Sequence, residues 1–187
     1  MPRSRALTHG RIIQGAYALF YRHGFARVSM DAIAARAGVT KRTLYAHFDS
    51  KDTLLGVVLH HHHALALARI ETWAGCLDHS NPKSIDRLFS DIALWSSGRH
   101  WSGAGFTRLV MELADLPGHP ARKIARRHKA AVESRLSLAL GSAEAGAEIM
   151  LLIEGTLALL LVHGDRRYAE IGAAAAKKLT RRAISKD

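Results

Sequence analysis

The sequence contains one cysteine and four prolines among its 187 residues. Cys76 has no second cysteine with which to pair, so no disulfide forms within the chain. Alanine and leucine are abundant, and apolar residues recur at spacings of three and four rather than two. This spacing is typical of amphipathic helices and not of strands. The sequence therefore predicts an all-α fold that holds together without covalent crosslinks.

The sequence also lacks a targeting segment and a clear membrane span. Residues 1–10 are basic and polar, and no apolar run of the kind found in signal peptides follows them. The most apolar stretch, residues 149–162, is interrupted by Glu154 and Gly155 and is shorter than the roughly 20 residues that span a bilayer. We interpret it as a buried helix. These features predict a cytoplasmic protein with no membrane partner.

Common catalytic and cofactor-binding motifs do not occur. The sequence has no Gly-x-Ser-x-Gly elbow, no phosphate-binding loop, no His-Glu-x-x-His pair and no dinucleotide fingerprint. The segment Gly103-Ala104-Gly105 is too short to count as a glycine-rich nucleotide loop. We therefore expect a protein that is not an enzyme and that needs no cofactor.

Four consecutive histidines, His60 to His63, raise the question of a metal site. On a helix only His60 and His63 share a face, which gives two ligands where zinc usually takes three or four. His100 or His119 could complete a set only if the fold brought them close. We predict no metal site and expect solvated or packed histidines, with metal binding as the alternative.

Positive charge is concentrated at the two ends of the chain. The net charge is +11, of which residues 1–52 contribute +6, residues 53–165 contribute none and residues 166–187 contribute +5. A basic N-terminal part on a neutral body indicates an anionic partner, either a nucleic acid or a membrane surface. The basic C-terminal segment is less informative, because its cations are also expected on the solvated face of a last helix.

Capping residues and periodicity divide the chain into about nine helices. The first is predicted to begin at Thr8, the short second and third helices are capped by Ser29 and Thr40, and the fourth runs from Ser50 toward Trp73. Five more are predicted at about residues 82–97, 106–113, 120–140, 143–163 and 166–184. The predicted organisation is a three-helix head, residues 1–52, on a larger helical body, residues 53–187.

The second and third helices have the spacing of a helix-turn-helix. Gly38 permits the backbone conformation of a tight turn, and Ala34 and Ala37 are small enough for the helices to approach closely. The apolar residues predicted to pack behind the turn are Ile33, Ala34, Val39 and Leu44.

The third helix is predicted to present hydrogen-bond donors to the outside, namely Thr40, Lys41, Arg42, Thr43, Tyr45 and His47. A helix about 10 Å across fits the major groove of DNA, roughly 12 Å wide, and its N-terminal residues reach the base edges first. Lys41 and Arg42 are therefore the candidates for reading bases. An ordinary helical hairpin with a solvated basic face is the alternative interpretation.

A specific pattern runs through this region. Residues 29–34 read Ser-Met-Asp-Ala-Ile-Ala, residues 37–40 read Ala-Gly-Val-Thr, and residues 43–54 read Thr-Leu-Tyr-Ala-His-Phe-Asp-Ser-Lys-Asp-Thr-Leu. The pattern resembles the DNA-binding signature of the TetR (tetracycline-repressor-like) family, and the match covers roughly Arg11 to Leu59. The glycine turn and the Leu-Tyr, His-Phe and Ser-Lys pairs all occur in register.

This resemblance implies contacts with double-stranded DNA. The residues that it places on phosphates are Thr40, Thr43, Tyr45, His47 and Lys51, the last at the positive N-terminal end of the fourth helix. It places Arg27 and Ser29 on the DNA backbone before the second helix. Arg3 and Arg5 would lie on a tail that either enters the minor groove or is disordered. Tyr45 can also pack its ring on the fourth helix while its hydroxyl stays exposed.

The body resembles the family in architecture and in loose patterns only. That resemblance implies a homodimer in which the last two long helices of each subunit form a four-helix interface. The eighth helix has more apolar residues than one shielded face needs, and those assigned to the interface are Ile149, Leu152, Ile153, Leu157, Leu160 and Leu161. The core helix of a monomer is the alternative. A dimer would place two recognition helices about 34 Å apart, one turn of DNA, and so predicts an inverted-repeat operator.

The resemblance also implies a small-molecule pocket in the body. Its candidate lining residues are aromatic or soft apolar side chains, namely Trp95, Trp101, Phe106, Val110, Met111 and Leu113. Plain core packing produces the same spacing and remains the alternative. Because charge is sparse here, the expected ligand is small and apolar or aromatic. The leading hypothesis is a repressor that such a ligand releases from DNA; an activator, or a basic head that binds a membrane surface or metal, remains open.

Overall fold

The computed structural model describes residues 2–78, 81–99 and 101–184, and the regular structure of these residues is entirely helical. This confirms the predicted all-α fold. The nine helices found there are α1 (Pro2–His23), α2 (Met30–Ala37), α3 (Lys41–Tyr45), α4 (Lys51–Ala74), α5 (Pro82–Ser96), α6 (Gly105–Glu112), α7 (Pro120–Leu140), α8 (Ala143–His163) and α9 (Arg167–Ile184).

Most helix ends lie where the capping residues predict them. Ser29, Thr40 and Asn81 each accept a backbone N–H bond at the start of α2, α3 and α5. Thr8 is the exception, because α1 already begins at Pro2 and the Thr8 hydroxyl donates to the carbonyl of Ser4, 3.0 Å away within the helix. The prediction that Thr8 caps the first helix is therefore wrong.

The chain forms two compact units. The first comprises the residues up to Leu65 together with Gly105–Arg126, and the second comprises Ala66–Ala104 together with the residues from Arg127 onward. The first unit is thus larger than the predicted head, since it includes the first part of α4, all of α6 and the start of α7. The functional boundary after residue 52 stays a prediction.

The first unit has its own apolar core behind the helix-turn-helix. Ile12 of α1, Ile33 of α2, Leu44 of α3 and Leu54 of α4 are fully buried there. Burying a side chain of this size stabilises a fold by roughly 1.5–3 kcal/mol. These contacts fix the second and third helices against α1 and α4, and Val39 packs at the edge of the core.

The core of the second unit is built mainly from α5, α8 and α9. Phe89, Ile92, Ile149 and Ala176 are buried within it. The helix α8 spans 21 residues, longer than the apolar run within it, and its length and composition alone would let it cross a membrane. The core helices of soluble proteins share this property, and one stripe of α8 is buried here against its own chain.

Candidate nucleic-acid interface

Two side-chain caps make the short helices α2 and α3 possible. The Ser29 hydroxyl accepts from the N–H of Ala32 at 3.1 Å, and the Thr40 hydroxyl accepts from the N–H of Thr43 at 3.1 Å. Each bond satisfies a backbone donor that has no partner within its helix. Between the helices, Gly38 adopts the left-handed conformation, with φ 63° and ψ 41°. The turn therefore has the geometry that its sequence predicts.

Arg11 of α1 binds the same turn. Its guanidinium donates to the carbonyl oxygens of Ala37 and Gly38, the second at 2.9 Å. A Cβ at Gly38 would lie 2.7 Å from Nη2 of Arg11, so any larger residue there would displace the end of the Arg11 side chain. Sequence reasoning did not identify this role, because nothing in the sequence links a basic residue of α1 to carbonyls more than 25 positions away.

The predicted base-reading residues differ in their surroundings. Lys41 is exposed, and its ammonium lies 2.9 Å from a carboxylate oxygen of Asp31. The hydrogen bond and the charge of Asp31 raise the pKa of Lys41. Arg42 is also exposed, and its side chain has no hydrogen-bond or ion-pair partner among the residues that the structure describes.

Thr43 and Tyr45 extend this surface along α3. The Thr43 hydroxyl lies 2.8 Å from that of Thr40, and either can be the donor. The Tyr45 side chain is 43% exposed. Within the described part of the chain, the first turn of α3 thus carries one guanidinium without a partner, one paired ammonium and two hydroxyls that already bond to each other.

A groove runs between α1 and α3 within the first unit. Its volume is about 580 Å³, and its lining residues are Ser4, Arg5, Thr8, Thr43, Ala46 and His47. Because α1 begins at Pro2, Arg5 belongs to a helix and not to a free tail, which corrects the expectation for this residue. The side chain of Arg3 lies outside the described residues.

His47 at this groove is shifted toward its neutral form. Burial lowers the pKa of His47, and the positive charges of His9 and Arg5 lower it further. The ring of His9 stacks on Phe48 with 4.8 Å between centroids and lies 5.6 Å from the ring of His47. A neutral imidazole still offers one N–H donor to an anion.

Lys51 is the first residue of α4, and its side chain reaches the turn between α1 and α2. Its ammonium is 3.4 Å from the carbonyl oxygen of Ala26 and 4.2 Å from the ring centre of Phe25. Burial lowers the pKa of Lys51, against smaller opposite effects of Asp52 and Glu112. Arg27 and Ser29 follow this turn, and both are exposed.

The helices that carry this surface match a known family. Residues 12–58 fit the family model described as bacterial regulatory proteins, tetR family. This segment has the DNA-binding sequence of the TetR family.

The relatives share this segment and the fold. The chain is 41% identical to the HTH-type transcriptional repressor Rv3405c of Mycobacterium tuberculosis over 61 residues, 33% of this chain and 32% of the relative. It is 43% identical to the HTH-type transcriptional activator FasR of Mycolicibacterium smegmatis over 53 residues, 28% of this chain and 24% of the relative. The aligned part thus spans about a third or less of these curated relatives.

Over most of its length the chain has the fold of a solved TetR-family structure. The crystal structure of SCO4454, a TetR-family transcriptional regulator from Streptomyces coelicolor, superposes with a TM-score of 0.81 and covers 94% of this chain and 95% of that one. The sequence identity is 22%, so the likeness concerns the fold alone.

The residues predicted to line a TetR-like pocket fall in both compact units. Trp95 and Trp101 lie in the second unit, with ring centroids 5.8 Å apart. Phe106 and Leu113 are buried in the core of the first unit, and Val110 packs against that core. Met111 is 68% exposed. The pocket stays a prediction.

The predicted dimer residues are mostly used within the chain. The side chains of Ile149, Ile153, Leu157 and Leu160 are buried in the core of the second unit, and Leu152 packs against that core. Leu161 is half-exposed. The stripe of α8 that stays uncovered is a different one, with Leu151 at 75% and Val162 at 73% exposure. Four of the six predicted residues are therefore buried within their own unit, and the dimer interface stays a prediction.

The histidine run separates into different environments. The ring of His62 stacks on Phe106 with 5.2 Å between centroids, while His60 and His61 are exposed. His119 lies at the start of α7, and its Nε2 is 3.5 Å from a carboxylate oxygen of Asp52. His100 lies outside the described residues. Within the described ranges, no three His, Cys, Asp or Glu side chains are grouped so that they could hold a metal ion.

The turn at Gly38 gives a direct test of this geometry. Gly38→Ala is expected to lower the free energy of unfolding by roughly 1–3 kcal/mol, because the side chain is strained at positive φ and its Cβ displaces Arg11. Urea unfolding followed by circular dichroism measures the change. Gly118→Ala is the control, since nothing lies within 4 Å of its added Cβ. Equal stability of the two variants would contradict the assigned role of the turn.

Proposed function

We propose that this chain is a sequence-specific, DNA-binding transcriptional regulator of the cytoplasm. One observation supports it most: a capped helix-turn-helix of the TetR type carries an exposed row of donors on α3. The guanidinium of Arg42 has no partner among the described residues and lies at the N-terminal end of α3, where a helix in the major groove meets base edges first. We assign base reading to Arg42, with Lys41 beside it.

The remaining donors are assigned to the DNA backbone. They are Arg27, Ser29, Thr40, Thr43, Tyr45, His47 and Lys51. We add Arg5 to this set, because it lines one groove with Thr43 and His47, where a cation, hydroxyls and an imidazole face the same open space. Arg5 is then a phosphate contact and not a minor-groove contact. Phosphate contacts fix the register of a protein on DNA and make its affinity salt-dependent.

Selection of genomic DNA by the purified protein, at a fixed salt concentration, tests this assignment. We expect an inverted-repeat operator. Arg42→Ala should cost about 1–3 kcal/mol at one base position, and Arg5→Ala should weaken binding to all sequences equally while reducing the salt slope by about 1. Arg22→Ala, on the same helix as Arg5 but roughly 25 Å along it, is the matched control. Recovery of random DNA alone would refute sequence-specific binding.

We further propose that the regulator is a homodimer formed through the uncovered stripe of α8 and the adjacent face of α9. Leu151, Leu159 and Val162 on α8 and Ile171 on α9 are apolar and exposed, and large apolar patches on single chains mark interaction surfaces. This assignment keeps α8 and α9 as the interface helices, but it uses exposed residues in place of the buried ones that the sequence predicts. A twofold dimer presents two recognition helices to an inverted repeat.

Mass measurement in solution tests the dimer. Light scattering of the wild-type protein should give twice the chain mass of 20.5 kDa. Leu151→Glu should give the single-chain mass, because a charge buried without a partner destabilises an apolar interface. Leu94→Glu replaces another exposed leucine, at 65% against 75% for Leu151, on α5 of the same unit and should stay dimeric. A dimeric Leu151→Glu protein would exclude this face.

Regulation by a small apolar or aromatic ligand is the third part of the proposal. A repressor and an activator share the DNA-binding segment, so the sign of regulation does not follow from it. We propose repression, with the ligand-free dimer bound to DNA and the ligand favouring a state of lower DNA affinity. Trp95 and Trp101 lie next to each other and are the aromatic residues assigned to the ligand.

Tryptophan fluorescence provides the test, because all three tryptophans lie in the second unit. A panel of phenols, aromatic acids and aromatic amines is titrated against the protein, and each compound that quenches the fluorescence saturably is added to the operator complex. Such a compound should weaken operator binding. Saturable quenching with unchanged operator affinity would contradict release by that ligand.

A further inference from the structure

We propose that Glu112 of α6 is a positioning residue for DNA binding, whose carboxylate holds the α1–α2 turn in the conformation that DNA requires. The inference rests on the proposed function, because it assigns a positioning contact to the same DNA-binding unit. All of the residues involved belong to the first compact unit.

The carboxylate of Glu112 contacts the backbone of the α1–α2 turn. Its Oε2 accepts from the N–H of Ala26 at 3.1 Å, and a Cβ at Gly24 would lie 2.5 Å from Oε1. Gly24 has φ 83°, a backbone conformation that favours glycine. The side chain of Glu112 is only 23% exposed, which limits competition from water for the bond to Ala26.

The N–H and the carbonyl oxygen of Ala26 are both bonded by side chains from other helices. Glu112 of α6 takes its N–H, and Lys51 of α4 donates to its carbonyl oxygen while lying over the ring of Phe25. The next residue is Arg27, one of the proposed backbone contacts. A shift of the Glu112 carboxylate relative to α4 therefore changes the course of the chain immediately before the DNA-facing residues.

Two arginines fix α6 itself. Arg108 lies one turn before Glu112, with its Nε 3.3 Å from Oε1, and its Nη1 donates to the carbonyl of Tyr21 in the last turn of α1 at 3.0 Å. Arg122 of α7 donates to the carbonyls of Leu113 and Ala114, just beyond the end of α6, at 3.2 Å each. The Glu112 carboxylate is thus carried by a helix whose C-terminal part is bonded to α1 through Arg108 and to α7 through Arg122. Its position relative to the turn is therefore set by α6.

The sign of the effect separates positioning from simple charge. Removing a carboxylate from a DNA-binding unit should tighten DNA binding if only electrostatics acts, because one negative charge is lost. Positioning predicts the opposite for Glu112→Ala, with operator binding about tenfold weaker, since the charge-assisted bond that holds the turn is lost. Glu112→Gln keeps an acceptor oxygen for Ala26 and should bind at least as tightly as the wild type.

The experiment measures operator affinity and amide exchange for the full-length protein. The operator is the one that the wild type selects, and exchange of the Ala26 amide is followed by NMR without DNA. In Glu112→Ala this amide should exchange faster, and in Glu112→Gln it should stay protected. Asp115→Ala is the matched control, because it removes an exposed carboxylate three residues further along and should not weaken binding.

Each outcome decides a different point. A Glu112→Ala protein that binds the operator as tightly as Asp115→Ala, or an Ala26 amide that remains protected in it, would overturn the role of Glu112. If circular dichroism shows that Glu112→Ala does not fold, Glu112→Asp replaces it, since the shorter side chain keeps the charge but cannot reach Ala26. A wild-type protein that selects no operator contradicts the proposed function instead.

Discussion

The left-handed turn at Gly38, and the arginine that binds it, set the geometry on which the DNA-facing surface depends. The turn fixes the angle between α2 and α3, and Arg11 ties the carbonyls at the end of α2 to α1. Such short helices have little stability of their own, because nucleation is costly and each has few internal hydrogen bonds. Their orientation therefore comes from caps, from this turn and from the core beneath them.

The sequence predicted those parts of the site whose cause is local. Ser29, Thr40 and Gly38 act on their neighbours within four residues, so their roles can be deduced from spacing. Thr8 shows the limit of the same reasoning, because a hydroxyl within a helix can donate to the carbonyl four residues earlier instead of capping.

Long-range partners could not be predicted in this way. Arg11, Asp31 and Glu112 are ordinary charged residues in the sequence, and their roles arise from carbonyls, amides or ammonium groups that only the folded chain brings near. Helix α8 is an intermediate case. Its excess of apolar residues predicts two covered faces, but periodicity alone cannot say which stripe the chain covers itself. In the structure the stripe with Ile149 and Ile153 is buried in the core of the second unit.

The cations of the proposed DNA surface differ in what binding would require of them. Lys41 is bonded to Asp31 in the free protein, so contact with DNA exchanges one anion for another. An exposed ion pair contributes only about 0–1 kcal/mol, so this exchange costs little. The ion pair also keeps the Lys41 ammonium ordered before DNA arrives.

Lys51 is bonded to Ala26 and partly desolvated, and moving it would disturb the turn. Of these three cations, only Arg42 has no partner among the described residues, so its side chain can change rotamer without breaking a bond. Specificity that depends on fine alignment with a base edge is therefore best placed on Arg42, with Lys41 as a second, less directional donor beside it. Lys51 is better suited to a phosphate, where a point charge needs no exact orientation.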